Sequence, residues 1–430
     1  MEKNYRKRII EAELERKLHS SGCVLVAGPK FVGKTTTCAT KAKSITSLKS
    51  NEAVHFARLY PSSALRGEIP HLIDEWQKAP EIWNLIRDDL DKDYVFGKYL
   101  LTGSTTPVDP TTIQHSGAGR ITRLIMRPFS LYESGESLGI VSLRQLLENP
   151  GMELPTLLPE DNPFTLEQIA FSMCRGGWPI SCLSPKEYAL DVTLNYYESL
   201  FNIENESDEF LSFLKNKDID LLKAILKENA RAVSSQMKRS RMLKEILESG
   251  IRSTLDEETF LSYYRVLENL YITYELPAWN LNLRSSVAVR TAPTHHFFDT
   301  SIALASLGIT PKRLLDDKES FGLFFEDFAL RDLFVYASAL RADIRHYRDS
   351  AGQEVDAVLL FPDGEYATIE IKTASYKGIE EGISSLLSFE AKMEKNQLKK
   401  PSLKLVLTSH GGCLRDPRGV YVVPLSALKD

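Results

Sequence analysis

The 430-residue chain has little cysteine: Cys23, Cys38, Cys174, Cys182 and Cys413. The count is odd, and no C-x-x-C pair or Cys/His cluster occurs, which argues against a disulfide framework or a zinc site. No apolar run approaches the ~20 residues of a membrane span, so no membrane partner is expected. The first residues, Met1-Glu-Lys-Asn-Tyr-Arg-Lys-Arg, are charged, and Ile9-Ile10 is followed at once by acids. With no secretory segment there, a cytoplasmic protein is expected. Repeats and low-complexity tracts are also missing. What remains is an ordinary globular composition, 43% hydrophobic and 26% charged. At ~100–200 residues per domain it predicts two to four domains.

Positive charge is in deficit as well. The net charge of −5 excludes a generally basic nucleic-acid binder. The deficit is uneven, because residues 1–150 carry 21 Lys/Arg against 17 Asp/Glu and the remainder carries 32 against 41. Within the acidic part, residues 223–252 hold eight basic residues and three acidic ones.

Short apolar runs at Cys23–Ala27, Ala53–Ala57, His71–Ile73 and Tyr99–Thr102 alternate with helix-sized stretches, one of them at 34–48. This is the pattern of βαβ units in a parallel sheet. Pro150, Pro155, Pro159 and Pro163, with Gly151, mark a boundary. Three units are expected: a P-loop ATPase domain over 1–150, a helical lid and winged-helix unit over 151–290, and an α/β unit over 291–430. In the last, a helix at 319–341 precedes strands at 343–348, 354–361 and 366–372, then a helix at 379–395 and strands at 403–408 and 420–423.

The first chemical motif is Gly28-Pro29-Lys30-Phe31-Val32-Gly33-Lys34-Thr35, followed by Thr36, after a strand and before a helix. It fits G-x-x-x-x-G-K-[ST]. In that pattern backbone N–H groups wrap a β-phosphate, the lysine neutralises β/γ oxygens and the hydroxyl holds Mg²⁺. ATP and Mg²⁺ are therefore the expected cofactors. His71-Leu-Ile-Asp74-Glu75 ends an apolar strand in two acids, one suited to anchor the metal and the other to orient the attacking water. Thr102 ends a further strand, where a hydroxyl can sense the γ-phosphate. Arg120, after a glycine-rich loop, and Arg127, in Met126-Arg-Pro-Phe, could each stabilise transition-state charge in cis or toward a neighbouring subunit. Ordinary salt bridges would serve as well for either.

The second motif lies near the C-terminus, where Asp356 is followed after thirteen residues by Glu370-Ile-Lys372. Glu370 and Lys372 share one strand face, because side chains alternate. A hairpin would bring Asp356 beside them, which is the arrangement for metal-assisted phosphodiester hydrolysis. Glu326 interrupts an apolar helix face, where an unpaired carboxylate is costly. Metal coordination, a salt bridge or a solvent-facing position would each account for it.

At these residues the chain resembles a prokaryotic family of AAA-type (AAA+/STAND-like) ATPases fused to a C-terminal domain of unknown function. The matching stretches are Gly28–Thr35, Leu72–Gln77, Leu101–Ser104, His115–Arg120, Met126–Glu133, Arg175-Gly-Gly-Trp-Pro179, Glu326, Glu354–Asp356 and Glu370–Lys372. The resemblance implies an AAA-type core, a helical lid, a winged helix and a PD-(D/E)XK nuclease-like terminal domain, with ATP and Mg²⁺ carried over to Gly33, Lys34, Thr35, Asp74 and Glu75. It implies no biological role.

Lys238-Arg239-Ser-Arg241-Met-Leu-Lys244 precedes a predicted helix at 256–270 that would read DNA in a winged helix. That helix, however, offers Asp256, Glu257, Glu258 and Glu268 against Arg265, a poor surface for a duplex. The expected function is an ATP-binding and hydrolysing switch controlling a nuclease-like domain, with DNA held through 231–252 and the C-terminal domain. A catalytically inactive nuclease-like fold serving as a binding module or scaffold is the competing reading. An arginine acting in trans would require a homo-oligomer.

Overall fold

The computed structural model describes residues 5–104, 117–201, 217–280 and 292–430. Helix α1 (Glu11–Leu18) leads into a sheet of five parallel strands. These are β1 (Cys23–Ala27), β2 (Ser44–Ser47), β3 (His71–Asp74), β4 (Tyr99–Gly103) and β5 (Ile121–Ile125), in the order β2-β3-β4-β1-β5. β1, β3 and β4 are buried at every position, as strands covered on both faces must be. Parallel pairing gathers the strands' C-terminal ends on one side of the sheet, where open α/β sheets place ligands.

Two local expectations fail here. Ala53–Ala57 is not a strand but lies in α3 (Asn51–Leu59), whose first turn is capped by Ser50 Oγ accepting from Ala53 N. The helix expected over 34–48 is only α2 (Lys34–Ala39), and Ser44-Ile-Thr-Ser47 pairs with His71–Asp74 as β2. A five-residue apolar run does not distinguish strand from helix, and a capping serine decides it.

After α4 (Glu81–Lys92) and β5, the chain forms β6 (Val141–Ser142) and α5 (Leu143–Glu148). The proline-rich stretch that follows belongs to no helical unit. Cys413 N donates to Leu157 O at 2.9 Å and Tyr421 OH donates to Met152 O at 3.1 Å, so it lies against the C-terminal sheet. The middle of the chain holds α6 (Leu166–Arg175), α7 (Pro179–Leu183), α8 (Ala189–Ser199), α9 (Ile219–Arg231), α10 (Arg239–Glu248) and α11 (Glu257–Asn269). An antiparallel hairpin of β7 (Thr273–Leu276) and β8 (Thr294–Phe297) follows. The cap of α11 is Asp256, which accepts from Thr259 N.

Helices α12 (Thr300–Leu307), α13 (Pro311–Asp316) and α14 (Lys318–Leu340) lead into a six-stranded mixed sheet. Its strands β9 (Asp343–Arg348), β10 (Glu354–Leu360) and β11 (Tyr366–Lys372) are antiparallel neighbours. Helix α15 (Tyr376–Lys395) crosses to β12 (Leu403–Thr408), β13 (Leu414–Arg415) and β14 (Tyr421–Pro424). β15 (Leu428–Lys429) then returns to pair with β6. One buried apolar cluster runs from Leu14 through Trp178 and Leu222 to Leu333 and Leu428, so all three stretches share a core.

Candidate nucleotide site and carboxylate–lysine cluster

The loop after β1 is built for close approach. A Cβ on Gly28 would stand 2.2 Å from Met126 O, and Gly33 starts α2 with φ 90°. Arg8 ties this loop to the strand beside it. Its Nη1 donates to Val32 O and its Nη2 to Arg127 O, both at 2.8 Å, while Nε pairs with Glu133 at 2.9 Å. Its guanidinium also stacks on Phe129. Tyr196 of α8 reaches the loop from the other side: its OH donates to Lys30 O and its ring meets the exposed Phe31 edge-on. Pro29, Val32 and Thr36 complete the segment, Val32 fully buried.

Lys34 is buried, with Nζ donating to Gly28 O (2.9 Å) and Pro29 O (2.7 Å). Burial brings its pKa down to about 8, against the opposing pull of Glu75. Asp74, fully buried, joins the loop to the sheet, because its Oδ1 accepts from Thr35 Oγ1 and Thr102 Oγ1, each at 2.6 Å. Its Oδ2 has no hydrogen bond but lies 3.1 Å from the Lys49 ammonium. Thr102 also accepts from Glu75 N, so its hydroxyl brackets the two acids. Glu75 takes a left-handed backbone (φ 61°), and its carboxylate accepts from Gln77. The donor set fits a nucleotide with Mg²⁺: a hydroxyl and a carboxylate lie side by side, next to a buried lysine on a glycine-bounded loop.

The two arginines stand elsewhere. Arg120 precedes β5, at the opposite end of the sheet from the loop, since Cys23 pairs with Ile121 and Ala27 with Ile125. Four residues of strand separate the two ends by ~13 Å. Arg120 is exposed and paired with Asp91 at 2.7 Å, so it does not reach the nucleotide loop of its own chain. Arg127 is buried, and its guanidinium lies over the rings of Tyr274, Phe298 and Phe334 at 4.4, 4.4 and 3.8 Å. It acts as an inter-element lock and not as a finger aimed at phosphate.

In the C-terminal sheet, Lys372 Nζ stands 2.6 Å from Glu370 Oε2 and 3.1 Å from Asp356 Oδ2. Asp356 also accepts from Ile371 N, and Glu370 accepts from Ser385 Oγ of α15. Burial first, then the Asp356 charge, push Glu370 up to about 8. Glu326, half-buried on α14, faces the same group: burial and the Asp356 charge raise it well above the usual carboxylate range, while Lys372 opposes them. A cleft of about 700 Å³ opens over Asp356, Glu370 and Lys372. Asp356, Glu370 and Glu326 were the expected metal ligands, yet among the described residues no three His, Cys, Asp or Glu side chains form a metal-holding group. The Lys372 ammonium bridges the carboxylates.

Sequence reading missed Arg8, Lys49 and Ser385, and it offered Arg331 only as a salt-bridge partner for Glu326, not as the centre of a cluster of its own. Arg331, fully buried, pairs with Asp299 (3.2 Å) and Asp332 (2.7 Å), and Asp332 accepts from Leu131 N. The Arg175-Gly-Gly-Trp-Pro179 turn abuts this cluster. A Cβ on Gly176 would meet Asp299 at 2.4 Å, and one on Gly177 would meet Phe129 O at 2.2 Å. Arg8 carries no local motif; only the buried neighbours reveal it.

Comparison with known proteins agrees with this geometry at the N-terminus. Residues 20–135 match a model described as AAA domain. The chain carries a P-loop ATPase domain. Two domains of unknown function match residues 166–313 and 321–428, so the middle model extends past the boundary expected at 290. Uncharacterised proteins of Mycobacterium bovis and Mycobacterium tuberculosis are each 30% identical over 135 residues, and the match spans 30% of this chain and 31% of each relative. Among solved structures, the Walker-type ATPase of Pyrococcus abyssi is 15% identical with a TM-score of 0.44, covering 71% of this chain and 97% of that one. The Aeropyrum pernix ORC2 protein is 12% identical with a TM-score of 0.29, covering 74% and 98%. Among the described residues, no helix is long and apolar enough to cross a membrane.

Proposed function

We propose that the chain is an ATP-binding and ATP-hydrolysing AAA-type switch that governs a C-terminal nuclease-like domain acting on DNA. The observation that carries the first half is Asp74 Oδ1 joining Thr35 and Thr102 beside the buried Lys34. In this reading Gly28–Thr36 cradle the phosphates, and Lys34 leaves the loop carbonyls to neutralise β/γ oxygens. Thr35 and Asp74 hold Mg²⁺, Glu75 orients water, and Thr102 fixes the two acids. When bound, the metal supplies charge neutralisation on the phosphates.

The second half rests on Asp356, Glu370 and Lys372 converging in one cleft with Glu326 behind them. A winged-helix reading of α9–α11 and the β7–β8 hairpin fits the element order. Of its basic stretch, Lys238, Arg241 and Lys244 line a common surface pocket. Arg239 is already committed to Glu268 and Glu275. Lys372 bridging both carboxylates is also what a catalytically inactive binding module or regulatory scaffold would show, and that is the second reading. In this reading Arg120, at the opposite end of the sheet from the loop, would serve a neighbouring copy in a homo-oligomer.

The deciding experiment pairs two variants. Lys34→Ala abolishes ATP binding, whereas Glu75→Gln keeps binding and slows hydrolysis by ~10²–10⁴. Undiminished hydrolysis by Lys34→Ala would refute the nucleotide assignment. Metal-dependent DNA cleavage that Asp356→Ala removes separates nuclease from scaffold, and a salt titration of DNA binding tests the basic stretch.

A further inference from the structure

Strand β5 closes one side of the N-terminal sheet, and no described strand pairs with its outer edge. Cys23 N donates to Arg120 O and Met126 N donates to Ala27 O, so even-numbered residues turn their backbone groups toward β1. In a parallel ladder the alternate residues, here Arg123 and Ile125, turn theirs outward. Both side chains are exposed. A cleft of about 670 Å³ touches Arg123, Leu124 and Ile125 in succession. Neighbouring strand side chains point to opposite faces, so a cleft meeting all three follows the strand's edge.

Apolar Phe298, Phe334 and Ile344 line the floor of this cleft beside the buried Arg8, Arg127 and Glu133, and Arg16, Lys17, Arg123 and Arg341 stand around it, Arg123 with its guanidinium against the Tyr271 ring and hydroxyl. The three acids that line the cleft do not cancel that charge. Glu13 is shared by Arg16 and Lys17, Glu133 is buried against Arg8, and Asp343 is held by Arg345, which lies outside the cleft. A lone arginine on an edge strand is a common guard against unwanted pairing. An apolar floor and three further cations are not needed for that task.

We propose that this edge docks an extended acidic segment of a partner protein, added as a further strand on β5. The five residues of β5 offer a track ~17 Å long, enough for five or six partner residues. Alternate apolar side chains would enter the floor, and the acidic ones between them would meet the rim.

The test uses the full chain and a labelled six-residue peptide alternating glutamate and valine, read by fluorescence polarisation. Saturable binding is expected, with none for a lysine–valine peptide. Arg123→Glu should weaken it at least 10-fold. Ile125→Pro, which removes an outward N–H and leaves the β1 ladder whole, should do the same. Should Ile125→Pro fail to fold, a peptide N-methylated at alternate residues replaces it and should also lose binding. No binding of the glutamate–valine peptide overturns the proposal, as does undiminished binding when either backbone is blocked. Displacement of the peptide by a hexamer of single-stranded DNA at lower concentration assigns the rim to nucleic acid and overturns it too. Self-association that Arg123→Glu abolishes would make the edge a contact between copies, and would equally overturn docking of a separate partner.

Discussion

Arg127→Ala separates two roles for a residue whose sequence context suggested catalysis. The guanidinium is buried and lies within 3.8–4.4 Å of three ring centroids contributed by β7, the end of β8 and α14. A desolvated cation–π contact is worth ~2 kcal/mol, but three rings around one cation are not additive. Burial also holds the Arg127 pKa below its ordinary value, so part of the gain is offset by desolvation. The net loss on truncation is therefore about 2–3 kcal/mol, including the cavity left by the stem. For domains of this size that lowers the melting temperature by ~5–10 °C. Thermal melts by circular dichroism, beside phosphate-release assays well below the new midpoint, give the answer. Arg127→Met should recover part of the packing but not the cation–π share. An unchanged melt with hydrolysis reduced ~10³-fold would refute the cage and restore the finger.

Three further outcomes follow from single side chains. Arg120→Ala should leave hydrolysis in dilute solution within two-fold of the parent and cost under ~1 kcal/mol, because its pair with Asp91 is solvent-exposed; a large loss in the dilute monomer would contradict its placement. Gly28→Ala should lose nucleotide binding and several degrees of melting temperature, since its Cβ would meet backbone at 2.2 Å. Gly33→Ala, with its nearest atoms at 3.9 Å or beyond, adds only the ~1–2 kcal/mol of left-handed strain, and equal melts for the two would count against this distinction. Burial lowers the His346 pKa to about 4 from 6.5, so as pH falls below 6.5 the unfolded chain takes the proton first. Stability is then lost between pH 6.5 and 4, by ~3 kcal/mol in full, and His346→Gln should flatten that part of the acid-unfolding curve. Superimposable curves would remove His346 from the account.

What could be read from the sequence was whatever a short stretch encodes. Gly28–Thr35 after a strand, the two acids ending β3, and Asp356 with Glu370-Ile-Lys372 are local patterns, and the structure brings each group together. The strands of the C-terminal sheet were legible because alternation and length agree. Failures occurred where the deciding partner lies far along the chain. Arg127 looks like a finger until residues 274, 298 and 334 fold over it. Arg8 reads as a charge on a solvated terminus until Val32, Arg127 and Glu133 enclose it. The strand misplaced at Ala53–Ala57 failed for a smaller reason: Ser50 caps a helix, and five apolar residues fit either period.

Helix α14 is the element through which a nucleotide-dependent switch would have to act. Its 23 residues span ~35 Å, and its successive faces meet α1, α6, α12, α13 and strands β9–β11. Glu326 looks into the carboxylate–lysine cluster, while Asp327 accepts from Phe297 N and Thr300 Oγ1. Asp332 accepts from Leu131 N just beyond the nucleotide loop's neighbouring strand, and Phe334 covers Arg127. Arg127 in turn shares Arg8 with the loop through its own carbonyl. A shift of Gly28–Lys34 toward bound phosphate would therefore be felt first at Met126 and Arg127, then at α14, before it reached Glu326. Contiguity alone does not establish coupling. The physical warrant would be a two-state displacement of α14, read from distance labels at exposed Leu323 and a strand of the N-terminal sheet. If that distance is the same with Mg·ATP and Mg·ADP, the two sites are neighbours that do not communicate.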